Sequence, residues 1–168
     1  MPEPVVVYTD GACAGNPGPG GWAWAVAPDG VPSAAGGEPH TTNQRMEITA
    51  ALEAARRFVP AGPVVIVSDS TYVVNCFRDK WYVKWERNGW KNSQRKDVAN
   101  KDLWEPLVRL YLARKPEFRW VKGHSGDAMN DLVDQLAVAA AVVARTLPPD
   151  PVDPAADEVV RHNALFDL

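Results

Sequence analysis

Cysteine is scarce in this 168-residue chain: Cys13 and Cys76 are the only two, and they lack CxxC spacing. They are too few for the disulfide framework of a secreted domain and are not placed like zinc ligands. Long apolar runs are missing as well. The longest, Leu132 to Ala144, is interrupted by Asp134 and Gln135 and falls short of the roughly 20 residues a membrane span needs. No charged leader followed by an apolar stretch opens the chain, so a soluble protein of the reducing cytoplasm is expected. The chain also lacks a dominant charge, with a net of -3 and an isoelectric point near 5.6, and it contains no internal repeat. Length and an ordinary apolar content fit one globular domain and exclude wholesale disorder.

The balanced total conceals an uneven distribution. From Arg78 to Lys101, eight basic residues stand against three acidic ones, a local net of +5, interleaved with Trp81, Trp85 and Trp90. From Thr146 onward five acidic residues face Arg161 alone, a net of -4, among Pro148, Pro149, Pro151 and Pro154. A basic, aromatic patch is the local signature of nucleic-acid binding, which the global isoelectric point would have argued against.

Val5 to Tyr8 reads as a strand running into Thr9-Asp10, followed by a Gly/Pro-dense loop from Gly11 to Gly21 and a second strand, Trp22 to Ala27. The Asp29-Gly30 turn predicts a third, antiparallel strand from Val31 to Gly37. Thr41-Thr42-Asn43 offers capping chemistry for a helix carrying Ile48, Ala51, Leu52, Ala55 and Val59 and ending before Pro60. The apolar run Val64 to Val67 predicts a strand buried on both faces and leads to Asp69. Helices are expected over Tyr72 to Phe77, the Trp-rich window, and Lys101 to Leu112, with a fifth strand over Phe118 to Val121. A last helix is expected from Asn130 to Arg145, with Val133, Leu136, Ala137, Ala140 and Val143 as its buried stripe.

Two carboxylates, Asp10 and Asp69, stand at the ends of apolar strands, where α/β sheets place their ligands. If those strands are parallel neighbours, the side chains meet. Glu47, early in the first helix, and Asp134, on the last, could add oxygens, although spacing alone does not decide between that and an ordinary surface position. Four such oxygens without a neighbouring Lys or Arg would require a divalent cation. The Gly-rich segment does not suit a nucleotide phosphate, because Pro17 and Pro19 remove amide donors and a strand, not a helix, follows.

Five blocks now carry a family resemblance. They are Tyr8-Thr9-Asp10-Gly11-Ala12-Cys13 through Gly21-Trp22, Thr41 to Glu47, Ser68-Asp69-Ser70, Trp81-x-x-x-Trp85-x-x-x-Gly89-Trp90-Lys91, and Val121 to Gly126 with Asp134 beyond. In this order, over roughly residues 4 to 145, they resemble type I ribonuclease H. The resemblance implies an α/β ribonuclease H-like fold: a mixed five-stranded sheet, three strands antiparallel and two parallel, flanked by helices. It implies a catalytic domain over residues 1–145, including a basic handle at 78–101, and leaves 146–168 as an acidic, Pro-rich tail.

The activity so implied is hydrolysis of the RNA strand of an RNA/DNA hybrid, leaving a 3′-hydroxyl and a 5′-phosphate. Asp10, Glu47, Asp69 and Asp134 would hold two Mg2+ ions, with Mn2+ as a substitute. Asp10 would bridge them, Asp134 would serve the attacking water, and Glu47 and Asp69 the leaving oxygen. His124 is similar to the family's mobile histidine, which assists proton transfer or product departure. Gly11, Cys13, Asn16, Asn43 and Gln44 would contact the RNA strand, reading 2′-hydroxyls through the minor groove. Thr42, Trp81, Trp85, Ser93 and Asn100 would contact the DNA strand, and Lys84, Arg87, Lys91, Arg95 and Lys96 would meet phosphates from the handle.

The chain also departs from the family pattern. His40 stands where some relatives have Arg, the interval from Asp69 to Trp81 is one residue longer than expected, and Asp127-Ala128-Met129-Asn130-Asp131 replaces a His-Pro-Glu-Asn-Glu segment. In the tail, His162-Asn163-Ala164-Leu165-Phe166 is similar to short peptides that bacterial replication proteins insert into the sliding clamp, with His162 for the leading Gln. A monomer is expected. Two alternatives share the fold: a hybrid binder without catalysis, disfavoured by the intact carboxylates, and a DNA-cleaving enzyme, disfavoured by the handle together with Asn16, Asn43 and Gln44.

Overall fold

A computed structural model of the chain describes residues 2–148. Three strands, β1 (Val5–Cys13), β2 (Gly18–Val26) and β3 (Ser33–Thr41), form an antiparallel meander. Then come α1 (Asn43–Phe58), a 3-10 turn (Val59–Ala61), β4 (Val64–Ser68), α2 (Thr71–Arg78), α3 (Trp81–Arg87), α4 (Lys101–Arg114), β5 (Glu117–Trp120) and α5 (Ala128–Ala144). The sheet order is β3-β2-β1-β4-β5, with β4 parallel to both β1 and β5. This is the expected mixed five-stranded sheet. All of β4 is buried, as its unbroken apolar run requires.

The period of two along β1 divides the core. Val7 joins Trp24, Ile66 and the α1 residues Ile48, Ala51 and Leu52 on one face, while Tyr8 and Ala12 pack with Ala23, Ala25, Val133 and Ala137 on the face covered by α5. Helix α1 is capped by the buried Thr42, whose Oγ1 accepts from the Arg45 amide at 3.2 Å.

Three expectations need correction. Gly11 to Gly21 is not one long loop: β1 runs on to Cys13 and β2 begins at Gly18, with Gly11 opposite Trp22 and Cys13 opposite Gly20. The glycines serve close approach more than turning. A Cβ on Gly11 would overlap the backbone of Met46 and Glu47 in α1, and one on Gly21 would overlap the backbone of Ala137 and Ala141 in α5. The Trp-rich window is helical only over α3. Gly89 and Trp90 take positive φ, and the chain continues as a loop bridged between Lys91 and Asp97. On α5 the buried stripe is Val133, Ala137, Ala141 and Ala144, and Val143 is 62% exposed. Nearly every position of that helix is apolar, so periodicity alone could not choose the face.

Trp104 is fully buried in an aromatic layer, with its indole N–H donating to the Tyr72 hydroxyl at 3.1 Å and its ring 5.7 Å from that of Trp85. This layer carries the base of the handle. The clamp-like segment His162 to Phe166, and the tail beyond Pro148, lie outside the described residues.

Candidate active site

The parallel ladder between β1 and β4 ends at Thr9 opposite Ser68, so Asp10 and Asp69 are the first pair beyond it. Asp10 lies within β1 and not at its end, because the antiparallel partner β2 carries the strand three residues further. What ends at Asp10 is the coverage by β4, and a crevice opens there. Thr9, buried beside it, donates from Oγ1 to the Val67 carbonyl at 3.0 Å and ties the two strands at the crevice floor.

Glu47 comes from α1. Since Gly11 has no side chain, the first turn of α1 presses directly on β1, and Glu47 reaches the Asp10 carboxyl with a hydrogen bond. Carboxylate oxygens of Asp10, Glu47 and Asp69 lie within 4.8 Å of one another. Asp134, on the second turn of α5, lines the same cleft but stands outside this tight group. His124 lines it from the opposite loop, in the left-handed region with φ 54°, and its charge acts on Asp69.

The electrostatics follow from burial. Asp10 is 3% exposed, and its carboxyl is pushed up to about 8, by burial first and then by the charge of Asp69. Glu47 is raised well above the carboxylate range by burial and by the charges of Asp10 and Asp69, and burial also raises Asp69. Glu47 Oε2 is buried with no hydrogen-bond partner. Among the described residues, no Lys or Arg lines the cleft. An orphaned carboxylate oxygen among hard oxygen donors, with no cation of the protein's own, fits a divalent metal such as Mg2+.

In the metal-free chain the folded carboxyls hold protons that the unfolded chain releases near the ordinary carboxylate range. Stability from this cluster is therefore present at low pH and is lost as pH rises from about 4 towards about 8. Thermal melts in chelator should show the wild type losing stability over that window relative to Asp10→Asn, and Mg2+ should raise the melting temperature more at pH 8 than at pH 5. Parallel pH profiles for the two proteins would contradict it.

The substrate-side residues divide. Gly11, Cys13, Asn43 and Gln44 line the cleft, and Asn16 Oδ1 accepts from the Asn43 amide at 3.1 Å, fixing the β1-β2 turn against α1. Thr42 and Asn100 are both buried and are joined through Arg45, whose guanidinium donates to Asn100 Oδ1 at 3.2 Å and pairs with both oxygens of Asp102. Ser93 is exposed in the loop after α3, and Trp81 and Trp85 are half-buried, their rings 6.2 Å apart. Lys84, Arg87, Lys91, Arg95 and Lys96 are exposed, but Lys91 Nζ is 2.6 Å from Asp97 Oδ1 and so already has a counter-ion.

Three contributors escaped the sequence reading. Asn130, read there as the start of a helix and as part of the segment that departs from the family, is 2% exposed, and its side chain hydrogen-bonds Asp69, which opposes the upward push of burial on that carboxyl. Trp120 donates its indole N–H to the Asp69 carbonyl at 3.1 Å. Asp127 bonds both Tyr8 and the start of α5. The one local signal was an Asp three residues before an Asn at a helix start, which is capping chemistry.

Comparison with known proteins identifies the family and the fold. The family model for RNase H matches residues 2–142. A ribonuclease H of Nitratidesulfovibrio vulgaris is 49% identical over 148 residues, covering 88% of this chain and 94% of its own. Among solved structures, LC9-RNase H1, described as a type 1 enzyme with the type 2 active-site motif, superposes with a TM-score of 0.70 at 30% identity over 93% of this chain and 92% of its own. LC11-RNase H1, solved in complex with an RNA/DNA hybrid, shares the fold with a TM-score of 0.63 at 21% identity over 83% of this chain and 98% of its own.

Proposed function

We propose, from the premise that the chain belongs to the ribonuclease H family, that it cuts the RNA strand of RNA/DNA hybrids at two divalent cations held by Asp10, Glu47, Asp69 and Asp134, leaving 3′-hydroxyl and 5′-phosphate ends. The observation that carries this reading is the group of three carboxylates within 4.8 Å in a cleft lined, among the described residues, by no Lys or Arg. Mg2+ is the natural occupant, with Mn2+ as a substitute. Bound there, the ions would lower the pKa of a water and neutralise charge on the leaving oxygen.

The chain's own residues do the rest. Asp10, hydrogen-bonded to both Glu47 and Asp69, would help hold both ions, and Asp134, on the α5 side of the cleft, would serve the attacking water. His124, on its exposed loop, can carry a proton to or from the reacting oxygens. Asn16, Asn43, Gln44, Gly11 and Cys13 form the wall that meets the RNA minor groove, where 2′-hydroxyls distinguish RNA from DNA. Thr42, Asn100, Ser93 and the two half-buried tryptophans receive the DNA strand, with the handle at 78–101 on its phosphates. The catalytic unit is residues 1–145, acting as a monomer in the cytoplasm. The tail at 146–168 reaches a sliding clamp through His162 to Phe166, and a tail peptide titrated against such a clamp tests this contact: no binding at high micromolar concentration ends it.

Two predictions attach to these roles. Neutralising Lys84, Arg87, Arg95 and Lys96 should weaken hybrid binding and flatten its salt dependence, each lost phosphate contact lowering the log-log slope by roughly 0.9 on a B-form duplex. Lys91, paired with Asp97, should add less. An unaltered slope would remove the handle from the phosphates. His124→Ala should slow turnover by ~10- to 100-fold with little change in affinity; equal turnover would reduce His124 to a loop residue.

One gel tests the function. The same end-labelled RNA is presented alone, paired with RNA and paired with DNA, with and without Mg2+. Cleavage of the DNA-paired RNA alone, requiring Mg2+ and giving 5′-phosphate ends, is expected. Cleavage of the DNA strand, or binding without cleavage, would overturn the proposal.

A further inference from the structure

The carboxylate of Asp127 holds two elements at once. Its Oδ1 accepts from the Asn130 amide at 3.0 Å and caps α5, while its Oδ2 accepts from the Tyr8 hydroxyl at 3.2 Å on β1. Tyr8 packs against α5 two residues before Asp10, so it shares a sheet face with that carboxylate. Asn130 follows Asp127 by three residues, is buried, and hydrogen-bonds Asp69 through its side chain. Asp134 follows Asn130 by one helical turn, on the same side of α5.

We infer that Asp127, held by Tyr8, is a positioning residue that sets the register of α5 on β1 and so fixes the spacing of the three metal-side carboxylates Asp10, Asp69 and Asp134. This rests on the reading of those carboxylates as the metal centre. The charge at position 127 is itself the argument. An Asp adds negative charge to a protein that is to bind a polyanion, and Asn or Ser would cap a helix as well without the charge. What Asn and Ser lack is a second acceptor oxygen. A carboxylate takes the helix amide on one oxygen and the tyrosine hydroxyl on the other, so capping and docking become one contact.

The Asn130 side chain extends that contact to β4. Its Nδ2 meets the Asp69 carboxylate while its Oδ1 stays buried without a partner. Rotating the amide would turn an oxygen towards the anion, so the Asp69 carboxylate selects the orientation with Nδ2 towards it. The middle of β1, the residue after β4 and the first turns of α5 are thereby linked through two side chains, Asp127 and Asn130, that lie outside the cleft lining.

The test is calorimetric titration of Mn2+ into the full chain without substrate, for wild type, Tyr8→Phe, Asp127→Asn and the double variant. Tyr8→Phe removes only a hydroxyl and keeps the ring in its packing; Asp127→Asn keeps a capping oxygen. Each single variant is expected to weaken cation binding by ~10-fold, the low end for residues that orient metal ligands. The double variant should be no weaker than the weaker single, because both act through one bond. Thermal melts should stay cooperative throughout. Unchanged Mn2+ affinity in both single variants overturns the inference, as does full additivity. Absence of cation binding in the wild type overturns the reading of the site and this inference with it, an outcome distinct from normal wild-type binding with unresponsive variants.

Discussion

Asp10→Asn is expected to lower hydrolysis of the hybrid by roughly 10³-fold or more while hybrid affinity holds or rises, since stabilising transition-state charge at a bound cation is worth several kcal/mol and each 1.36 is tenfold in rate. Asp10 is buried and hydrogen-bonded to both Glu47 and Asp69. Asn is nearly isosteric but neutral and offers one acceptor oxygen where Asp offers two, so cation binding suffers while the fold does not. Repulsion between the cluster and the substrate phosphate falls at the same time, hence the equal or tighter binding. Turnover and affinity must be measured on the same preparation. Turnover within tenfold of wild type would remove Asp10 from the metal centre.

Gly11→Ala should damage stability and activity together. Its Cβ would overlap the backbone of Met46 and Glu47, atoms that no rotamer change can move aside. Forcing a methyl into a packed contact costs about 1–3 kcal/mol where side chains yield, and this position should reach or pass the upper figure. For a domain of this length that is a fall of roughly 6 to 12 °C in melting temperature. The relief available to the chain is to lift the start of α1, which carries Glu47 away from Asp10, so turnover should drop by at least about tenfold even well below the melting transition. A variant that melts like wild type would show that α1 does not press on β1 as described; one that melts early yet keeps full turnover would separate Glu47 from the chemistry.

Much of this site could be read from the sequence, for identifiable reasons. An apolar run ending in a carboxylate, as at Val64 to Asp69, signals a buried strand with a charge at its mouth, and the same reasoning reached Asp10. Glu47 and Asp134 could not be reached that way, because their arrival depends on how closely α1 and α5 lie on the sheet; the ordered blocks of the family resemblance supplied them. The glycines of β1 and β2 misled, because Gly and Pro density reads locally as a turn, whereas Gly11 and Gly21 are strand residues stripped of side chains so that helices can approach. The stripe of α5 was misplaced at Val143 because a helix apolar on nearly all sides has no informative period. Tyr8, Asp127 and Asn130 stayed hidden because their contacts join residues up to 119 positions apart, through a register that no local pattern encodes.

Asp10, Glu47, Asp69 and Asp134 are proposed to hold divalent cations against the RNA strand of a hybrid. Anomalous diffraction from a manganese-containing crystal of the slow variant Asp134→Asn with an RNA/DNA hybrid tests it most directly. The predicted result is manganese density at the Asp10, Glu47 and Asp69 carboxylates, with a phosphate of the RNA strand beside it and the DNA strand on the handle. An ordered hybrid with no manganese at those carboxylates, or with the DNA strand lying across them, would contradict it.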